Sequence, residues 1–271
     1  MKPLPISGFT IGHIQVKTQF LRPEPQNILG SLKALRDKEF LPPVPVWCWV
    51  IEHPLGIVVV DTGQDELARS NWFGRTQTRI HYRPADRLAA QMMRAGVDPA
   101  QVRTLIFTHL HIDHDRGAGD FPEALLLASS TEIRQYTSPF AALLGYSPPV
   151  WAKPPQEVSF GGPALGPFAV SHDVYGDQRI MLLPTSGHTA GHLSVLIRQP
   201  EVDVLLAGDL TYTQQDLLTG RLGGFLTAPA SQRQAMEKVR QLASAKPLIY
   251  LPSHDPESLT RLQNAETLPL A

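Results

Sequence analysis

Cysteine is almost absent from this sequence: Cys48 is the only one among 271 residues, so no disulfide can form within the chain. Its place in the apolar run Val46–Ile51 favours a buried thiol over a reactive one. No apolar stretch approaches the roughly 20 residues that a membrane-spanning helix needs. Met1–Thr10 contains one lysine and lacks the apolar core of a secretory signal. From these absences we expect a cytoplasmic protein.

An excess of charge is also lacking. The 24 lysines and arginines nearly balance the 25 aspartates and glutamates, which gives a net charge of −1. The basic residues are scattered along the chain, whereas a surface for nucleic acid or anionic lipid needs them clustered. We therefore expect neither a nucleic acid nor a membrane as a partner.

Size and apolar content indicate one domain spanning residues 1–271. With 42% hydrophobic residues, the chain can fill one sizeable core without splitting. The composition changes around 137–167, where proline and glycine interrupt apolar and aromatic residues. We interpret this segment as a Pro-rich insertion within the domain.

Short apolar segments occur in both halves of the chain, which predicts the α/β class. The predicted strands are Phe9–Phe20, Val46–Ile51, Ile57–Val60, Val102–Phe107, Glu123–Ser129, Phe168–His172, Ile180–Leu183, Leu193–Ile197, Val202–Ala207 and Leu248–Leu251. The predicted helices are Ser31–Phe40, Pro84–Ala95, Thr131–Tyr136 and Gln234–Ala245.

Four metal-capable side chains lie within six residues directly after the strand Val102–Phe107. His109 and His111 are two residues apart, so in extended chain they project from the same side and can hold one ion. Asp113 and His114 follow where the chain must turn, in a position to serve a second ion. A polar loop with capping residues is the alternative. Three histidines at this density favour the metal site instead.

This segment and four others, in order, resemble the metallo-β-lactamase superfamily. The others are the turn Asp61-Thr62-Gly63, the Gly-His-x-x-Gly-His element over 187–192, the strand that ends in Asp209 and the strand that delivers His254. The resemblance runs from about Val46 to His254. It implies a four-layer αβ/βα sandwich that holds two divalent metal ions.

The resemblance also implies a role for each candidate ligand. The first ion would be held by His109, His111 and His188, and the second by Asp113, His114 and His254. Asp209 would bridge the two ions, Asp61 would orient a ligand histidine, and His192 would support the fold. Zinc is the first expectation, and iron, manganese and cobalt also suit such ligands.

Other residues are interpreted as structural. We expect His53 to be a solvated loop residue, and His13, His81 and His172 have no coordinating context. The pair Met92 and Met93 is expected to pack in the core. Trp72 and Phe73 lie in the long segment 64–83, where they would either cover a substrate or pack against the body.

Two close divalent ions hold a hydroxide between them and lower its pKa, so the resemblance implies hydrolysis. The zinc β-lactamases generally lack the bridging Asp and the His that follows the motif's Asp, whereas this chain has Asp209 and His114. Glyoxalase II has a sizeable helical C-terminal region, and only 17 residues follow His254 here. RNA-processing members need a basic surface that is not visible.

The branch of quorum-quenching N-acyl-homoserine lactonases is similar in one further detail, a tyrosine three residues after the bridging Asp. Tyr212 matches it and would donate to the developing oxyanion, while Asp113 would pass a proton to the leaving alkoxide. The chain departs from this branch at Asp115-Arg116, where a small residue and glycine are usual. This charged pair is expected to narrow or repolarise the pocket.

The sequence thus predicts a hydrolase that opens a lactone or other small-molecule ester. One alternative is a phosphotriesterase- or arylesterase-type hydrolase that uses the same site. A second is a binding or regulatory protein that keeps the fold with weak turnover. A retained set of seven candidate ligands argues against the second.

Overall fold

Two β-sheets pack face to face in the computed structural model, which describes residues 2–18, 37–66, 75–223 and 228–269. The first sheet has seven strands in the order β4-β1-β2-β3-β5-β6-β7. These strands are β1 Ile6–Val16, β2 Val44–His53, β3 Gly56–Val60, β4 Thr78–His81, β5 Val102–Ile106, β6 Leu125–Ser129 and β7 Gln156–Val158. The second sheet has five strands in the order β12-β11-β10-β9-β8. They are β8 His172–Asp173, β9 Ile180–Pro184, β10 Leu193–Ile197, β11 Asp203–Gly208 and β12 Leu248–Pro252.

The strands are apolar on both faces because each sheet is covered on both sides. In β11, Val204 and Leu206 point into the core between the two sheets. Leu205 and Ala207 point to the opposite face, where they pack in a separate core. This alternation has the two-residue period of a strand. Buried strands therefore appear in the sequence as continuous apolar runs.

Helices cover the outer faces. They are α1 Leu88–Arg94, α2 Ser130–Tyr136, α3 Gln214–Thr219, α4 Pro229–Ala245 and α5 Ser258–Asn264. On the second sheet, Met236 and Val239 of α4 pack against the core that contains Leu205. On the first, Leu88 and Met92 of α1 pack against the core that contains Cys48. The order of helices, sheet, sheet and helices confirms the predicted four-layer sandwich. The predicted burial of Cys48 is also confirmed.

The chain direction brings several strand ends to one edge of the sandwich. In the first sheet, β3, β5 and β6 run parallel. In the second sheet, β11 and β12 run parallel, and β9 runs the same way because both β9 and β11 are antiparallel to β10. Loops that follow these strands therefore lie side by side. Ligand sites in α/β proteins usually form at such an edge.

Three predictions made from the sequence, two about burial and one about a strand, are wrong. His53 is buried, since its ring stacks on Tyr175 with centroids 4.4 Å apart and its Nε2 lies 2.8 Å from Asp177 Oδ2. Met93 is 63% exposed, although Met92 beside it is fully buried. The expected strand Phe168–His172 is absent among the described residues, where Phe168 forms an isolated bridge with Leu165 and β8 begins at His172.

The segment 137–167 is part of the sheet and of the core. It contributes β7, which pairs in parallel with β6. Its Tyr146 is buried in the core of the first sheet, and Trp151 packs against the same core. The single domain over 1–271 remains a prediction.

Part of the predicted structure lies outside the described residues. This applies to Trp72, Phe73 and most of the expected helix Ser31–Phe40, of which 37–40 is described as non-helical with a bridge at Phe40. The segment 64–83 is not wholly a loop, since it contains β4. Within the described ranges, no helix is long and apolar enough to cross a bilayer.

Candidate dinuclear metal centre

The seven candidate ligands come together at the edge where the strands end. The segment after β5 carries His109, His111, Asp113 and His114, and the loop between β9 and β10 carries His188. Asp209 directly follows β11, and His254 lies two residues beyond β12. All seven side chains are buried.

The first group consists of His109, His111 and His188. One ligand atom from each lies within 4.8 Å of the others. His111 Nδ1 and His188 Nε2 are 3.0 Å apart. The Nε2 atom of His109 is buried and has no hydrogen-bond partner among the described residues. Three converging nitrogens, one of them without a partner, fit a metal ion better than they fit a self-contained hydrogen-bond network.

The second group consists of Asp113, His114 and His254, and its ligand atoms meet the same 4.8 Å limit. His254 Nε2 lies 3.4 Å from Asp113 Oδ2, and His114 Nε2 lies 3.8 Å from the same oxygen. The Nε2 atom of His114 is also buried without a hydrogen-bond partner within the described ranges. These three side chains leave room for an ion among them.

Asp209 lies between the two groups. Its Oδ2 is 3.4 Å from His188 Nε2 of the first group and 3.2 Å from His254 Nε2 of the second. Two ligands on one tetrahedral zinc are about 3.3 Å apart when each bond is about 2.0–2.1 Å. The spacings therefore suit ligands that share ions. The donor set fits two divalent cations with a carboxylate between them.

Burial keeps the first group neutral. It lowers the pKa of His111 to about 4, and it lowers the pKa values of His109 and His188 well below their usual range. Neutral imidazoles retain the lone pair that a metal ion needs. These three side chains are therefore ready to bind a cation.

In the metal-free chain, the two histidines of the second group are protonated, unlike those of the first. Burial disfavours the charged form of His254, but Asp209 and Asp113 outweigh it and raise the pKa of His254 to about 10. The pKa of His114 is raised well above its usual range for the same reason, by Asp209, Asp61 and Asp113. In turn, burial opposes ionisation of Asp209, yet the protonated rings of His254 and His114 hold its pKa well below normal. Protons on two histidines thus balance the carboxylates, and a cation would displace them.

Asp61 orients His114, as the resemblance implied. Its Oδ2 lies 2.9 Å from His114 Nδ1 and accepts a hydrogen bond of 2.7 Å from the Thr108 hydroxyl. Its Oδ1 accepts a further bond of 2.8 Å from the Thr108 backbone N–H. With Nδ1 engaged in this way, His114 presents Nε2 to the centre.

Both ring nitrogens of His192 are engaged in contacts with the protein, so neither is available to an ion. Its Nε2 accepts a hydrogen bond of 3.0 Å from the backbone N–H of Asp209, and its Nδ1 lies 2.9 Å from the Thr185 hydroxyl. Gly208, at φ +58, allows this approach, because an added Cβ would lie 2.7 Å from His192 Nε2. His192 therefore holds the backbone of Asp209 in place.

Tyr212 faces the same centre. Its ring lies 5.3 Å from that of His254, and its hydroxyl has no hydrogen-bond partner within the part of the chain that the structure describes. Burial, together with Asp209 and Asp113, raises the pKa of Tyr212 well above its usual range. The phenol therefore keeps its proton and is free to donate it in a hydrogen bond.

Asp115 and Arg116 do not line the pocket formed by the described residues, so they do not narrow it directly. The expected change of its polarity stays a prediction. Both residues are buried. Arg116 donates to the Pro148 carbonyl at 2.6 Å, and its Nε lies 3.3 Å from Asp65 Oδ1. It thereby connects the segment after β3 with the segment 137–167. The Asp115 carboxyl has no hydrogen-bond partner among the described residues, and burial raises its pKa well above the usual range.

The remaining histidines lie away from the centre. His13 and His81 are exposed partners across the β1–β4 pair, and His172 pairs with Leu182 at the far edge of the second sheet.

One residue close to the centre was not identified from the sequence. Glu132 on α2 is buried and bonds to the backbone N–H of Leu110, between His109 and His111.

Comparison with known proteins agrees with this geometry. The family model described as the metallo-beta-lactamase superfamily matches residues 41–254. The chain belongs to this superfamily. The match ends at the last candidate ligand and includes every one of the seven.

Members of the metallo-beta-lactamase superfamily with similar sequences include the N-acyl homoserine lactonase AttM of Agrobacterium fabrum. It is 30% identical to this chain over 229 residues, which cover 82% of this chain and 86% of AttM. The fold is similar to a solved N-acyl homoserine lactone hydrolase with N-hexanoyl-L-homoserine bound at its catalytic metal centre. That structure has a TM-score of 0.74 at 20% identity and covers 100% of this chain and 99% of its own. The dizinc quorum-quenching lactonase AidC has a TM-score of 0.64 at 14% identity, over 94% of this chain and 89% of its own.

Proposed function

We propose that this chain is a metal-dependent lactonase that hydrolyses the ring ester of N-acyl homoserine lactones. The observation that carries the proposal is the position of Asp209, which lies within 3.4 Å of both candidate ligand groups. Tyr212, with a free hydroxyl, borders the same pocket. The names of AttM and AidC point to the same substrate class.

We assign the first ion to His109, His111 and His188, the second to Asp113, His114 and His254, and the bridging position to Asp209. Two divalent ions bound there would polarise the ester carbonyl and activate a water molecule for attack. We propose zinc as the metal, because imidazole and carboxylate suit it and because AidC is a dizinc lactonase.

Two side chains of the protein complete the chemistry. Tyr212 donates a hydrogen bond to the carbonyl oxygen as negative charge develops on it, which stabilises the transition state more than the ground state. Asp113 lines the pocket beside His254. Its carboxylate takes up the proton that the attacking water loses and passes it to the leaving alkoxide, which becomes the homoserine hydroxyl.

The pocket suits a substrate with an apolar chain. Ile14 and Val16 of β1 line the pocket, together with Ile112 from between His111 and Asp113. Ile14 and Ile112 belong to one buried apolar cluster. An acyl chain in contact with these side chains would be removed from water, which favours binding. The polar end of the substrate would then lie towards Asp209 and Tyr212.

A screen of the zinc-loaded protein tests this proposal against its alternatives. N-acyl homoserine lactones, phosphotriesters, thioesters and β-lactams would be compared by kcat/KM in one preparation of known zinc content. We expect the highest value on the lactones. A higher value on phosphotriesters would favour the phosphotriesterase-type hydrolase, and no turnover of any ester at full zinc occupancy would favour a binding protein.

A further inference from the structure

Glu132 makes a set of contacts that the proposed chemistry does not use. It lies in the first turn of α2, and its side chain is 1% exposed. Its Oε1 accepts hydrogen bonds from the Leu110 backbone N–H at 3.0 Å and from the Tyr146 hydroxyl at 2.9 Å. Its Oε2 accepts a bond of 2.6 Å from the Thr189 hydroxyl. All of its acceptor bonds thus come from outside its own helix.

Two of the three donors belong to the two loops that carry the first group of histidines. Leu110 lies between His109 and His111, and Thr189 directly follows His188. One carboxylate therefore joins the loop after β5 to the loop between β9 and β10. These loops come from different sheets, so their spacing depends on contacts of this kind.

The helix that carries Glu132 is itself fixed to the second loop. The Ser129 hydroxyl donates to the Gly191 carbonyl at 2.6 Å and accepts from the Glu132 backbone N–H at 3.1 Å. An added Cβ at Gly191 would lie 2.1 Å from the Glu132 backbone nitrogen. This close approach accounts for the second glycine of the Gly-His-x-x-Gly-His element and leaves the carboxylate little freedom to move.

Tyr146 extends the same contacts to a candidate ligand. Its hydroxyl bonds to Glu132, and its ring lies 5.1 Å from the ring of His111. Glu132 thus acts on His111 from two directions, through the backbone at Leu110 and through the ring of Tyr146.

The charge of Glu132 is not balanced by a basic side chain. Its bonding partners are hydroxyls and backbone N–H groups, and no lysine or arginine among the described residues bonds to it. Burial raises the pKa of the Glu132 carboxyl, and these hydrogen bonds only partly oppose the effect. A buried carboxylate without a counter-charge destabilises the fold, unless its hydrogen bonds or a nearby cation compensate.

We propose that Glu132 is a positioning residue that fixes the two histidine loops in the geometry needed to bind the first metal ion. This inference rests on the proposed metal centre and makes no use of the substrate. It predicts a larger effect on the first site than on the second, because Glu132 bonds to Leu110 and Thr189, the residues directly beside the three histidines of the first group. Asp113 and His114 lie three and four residues beyond Leu110. The segment of His254 receives no bond from Glu132.

The test is the zinc affinity of each site in Glu132→Ala, measured by chelator competition in the absence of substrate. Outer partners of metal ligands typically contribute about 10- to 100-fold to metal affinity. We therefore expect the first-site affinity to fall by about that factor, with the second-site affinity changed less than about threefold. His188→Ala and His254→Ala assign the two binding steps to their sites.

Rescue by a near-isosteric variant separates positioning from general destabilisation. In Glu132→Gln the remaining carbonyl oxygen can accept from Leu110 and Tyr146, and the Thr189 hydroxyl can turn to accept from the new amide. We expect the Gln variant to recover most of the first-site affinity. Asp203→Asn is the matched control, because Asp203 is a buried carboxylate at the opposite end of β11 from Asp209 and bonds to Lys246. It should leave both zinc affinities unchanged.

If Glu132→Ala fails to fold, Thr189→Val removes a single donor with little change of shape and should weaken the first site alone. Equal losses at both sites, or unchanged affinities in a destabilised protein, would overturn the positioning role. A wild-type protein that binds two zinc ions but opens no lactone would refute the proposed substrate and leave this inference standing.

Discussion

His114 Nδ1 lies 2.9 Å from Asp61 Oδ2, and this contact connects the end of β3 to the loop that follows β5. Asp61 adopts φ +57, a left-handed conformation that Asp and Asn tolerate better than most residues. The position therefore combines a backbone requirement with a requirement for an acceptor. Both contribute to directing Nε2 of His114 towards the centre.

The variant Asp61→Asn separates these two requirements. Asparagine keeps the left-handed backbone and one acceptor oxygen but cannot serve both Thr108 and His114 as the carboxylate does. We expect the second-site zinc affinity to fall by about 10- to 100-fold while the fold is retained. Chelator competition together with circular dichroism measures both. An unchanged second-site affinity would show that His114 needs no such partner.

Metal uptake should release protons. The raised pKa values of His114 and His254 mean that both rings are protonated near pH 7 in the metal-free chain, with His254 losing its proton only near pH 10. A metal ion needs the neutral ring, so lower pH favours the proton and weakens binding. We expect about two protons released per chain at pH 7 and zinc affinity that rises with pH. Calorimetry in buffers of different ionisation enthalpy counts the protons, and a value near zero would contradict these charge states.

Asp209→Ala removes the carboxylate between the two groups. Without this anion the two cations would repel each other at short range, so we expect a loss of zinc occupancy and of lactone hydrolysis. Elemental analysis and a lactone assay provide the measurements. Asp203→Asn, at the other end of β11 from Asp209, is the control and should retain two zinc ions. If Asp209→Ala retains both occupancy and rate, the residue only caps the loop after β11.

Tyr212→Phe keeps the ring and removes one donor. Loss of an oxyanion donor costs about 2–4 kcal/mol, so kcat on a lactone should fall by about 30- to 900-fold. KM should change less, since the ground-state carbonyl needs the donor less. A phosphotriester with a good leaving group should be less sensitive. Zinc content is checked alongside, and an unchanged kcat on the lactone would leave Tyr212 as a packing residue.

The α/β class and the metal-binding segment 109–114 were predictable because they leave local patterns in the sequence. The four-layer arrangement and the roles of His188, Asp209 and His254 followed from the resemblance to the superfamily. The apolar runs of β11 and β12 predict buried strands, and Asp209 and His254 follow them within two residues. The spacing of His109 and His111 places both rings on one side of an extended chain, a conclusion that needs only strand geometry. Such features need no knowledge of distant contacts.

The wrong predictions, and the omission of Glu132, involve residues whose environment is formed by other parts of the chain. His53 is buried because Tyr175 and Asp177, more than 120 residues away, cover it. The Ser129-x-x-Glu132 pattern is typical of a helix cap, and Ser129 does cap α2, yet the Glu132 carboxylate bonds to two distant loops instead. Met92 and Met93 lie on different sides of α1, and only the side with Met92 faces the sheet. Contacts between elements decide each case, and a single sequence does not contain them.

Zinc titration of the metal-free protein, followed by lactone hydrolysis, tests the two-ion centre most directly. Protein stripped with a chelator would receive zinc in steps, and the rate on an N-acyl homoserine lactone would be measured at each step. The two candidate ligand groups with Asp209 between them predict no activity without zinc and full activity at two equivalents per chain. Full activity at zero or one equivalent, with no gain from a second, would contradict the dinuclear centre.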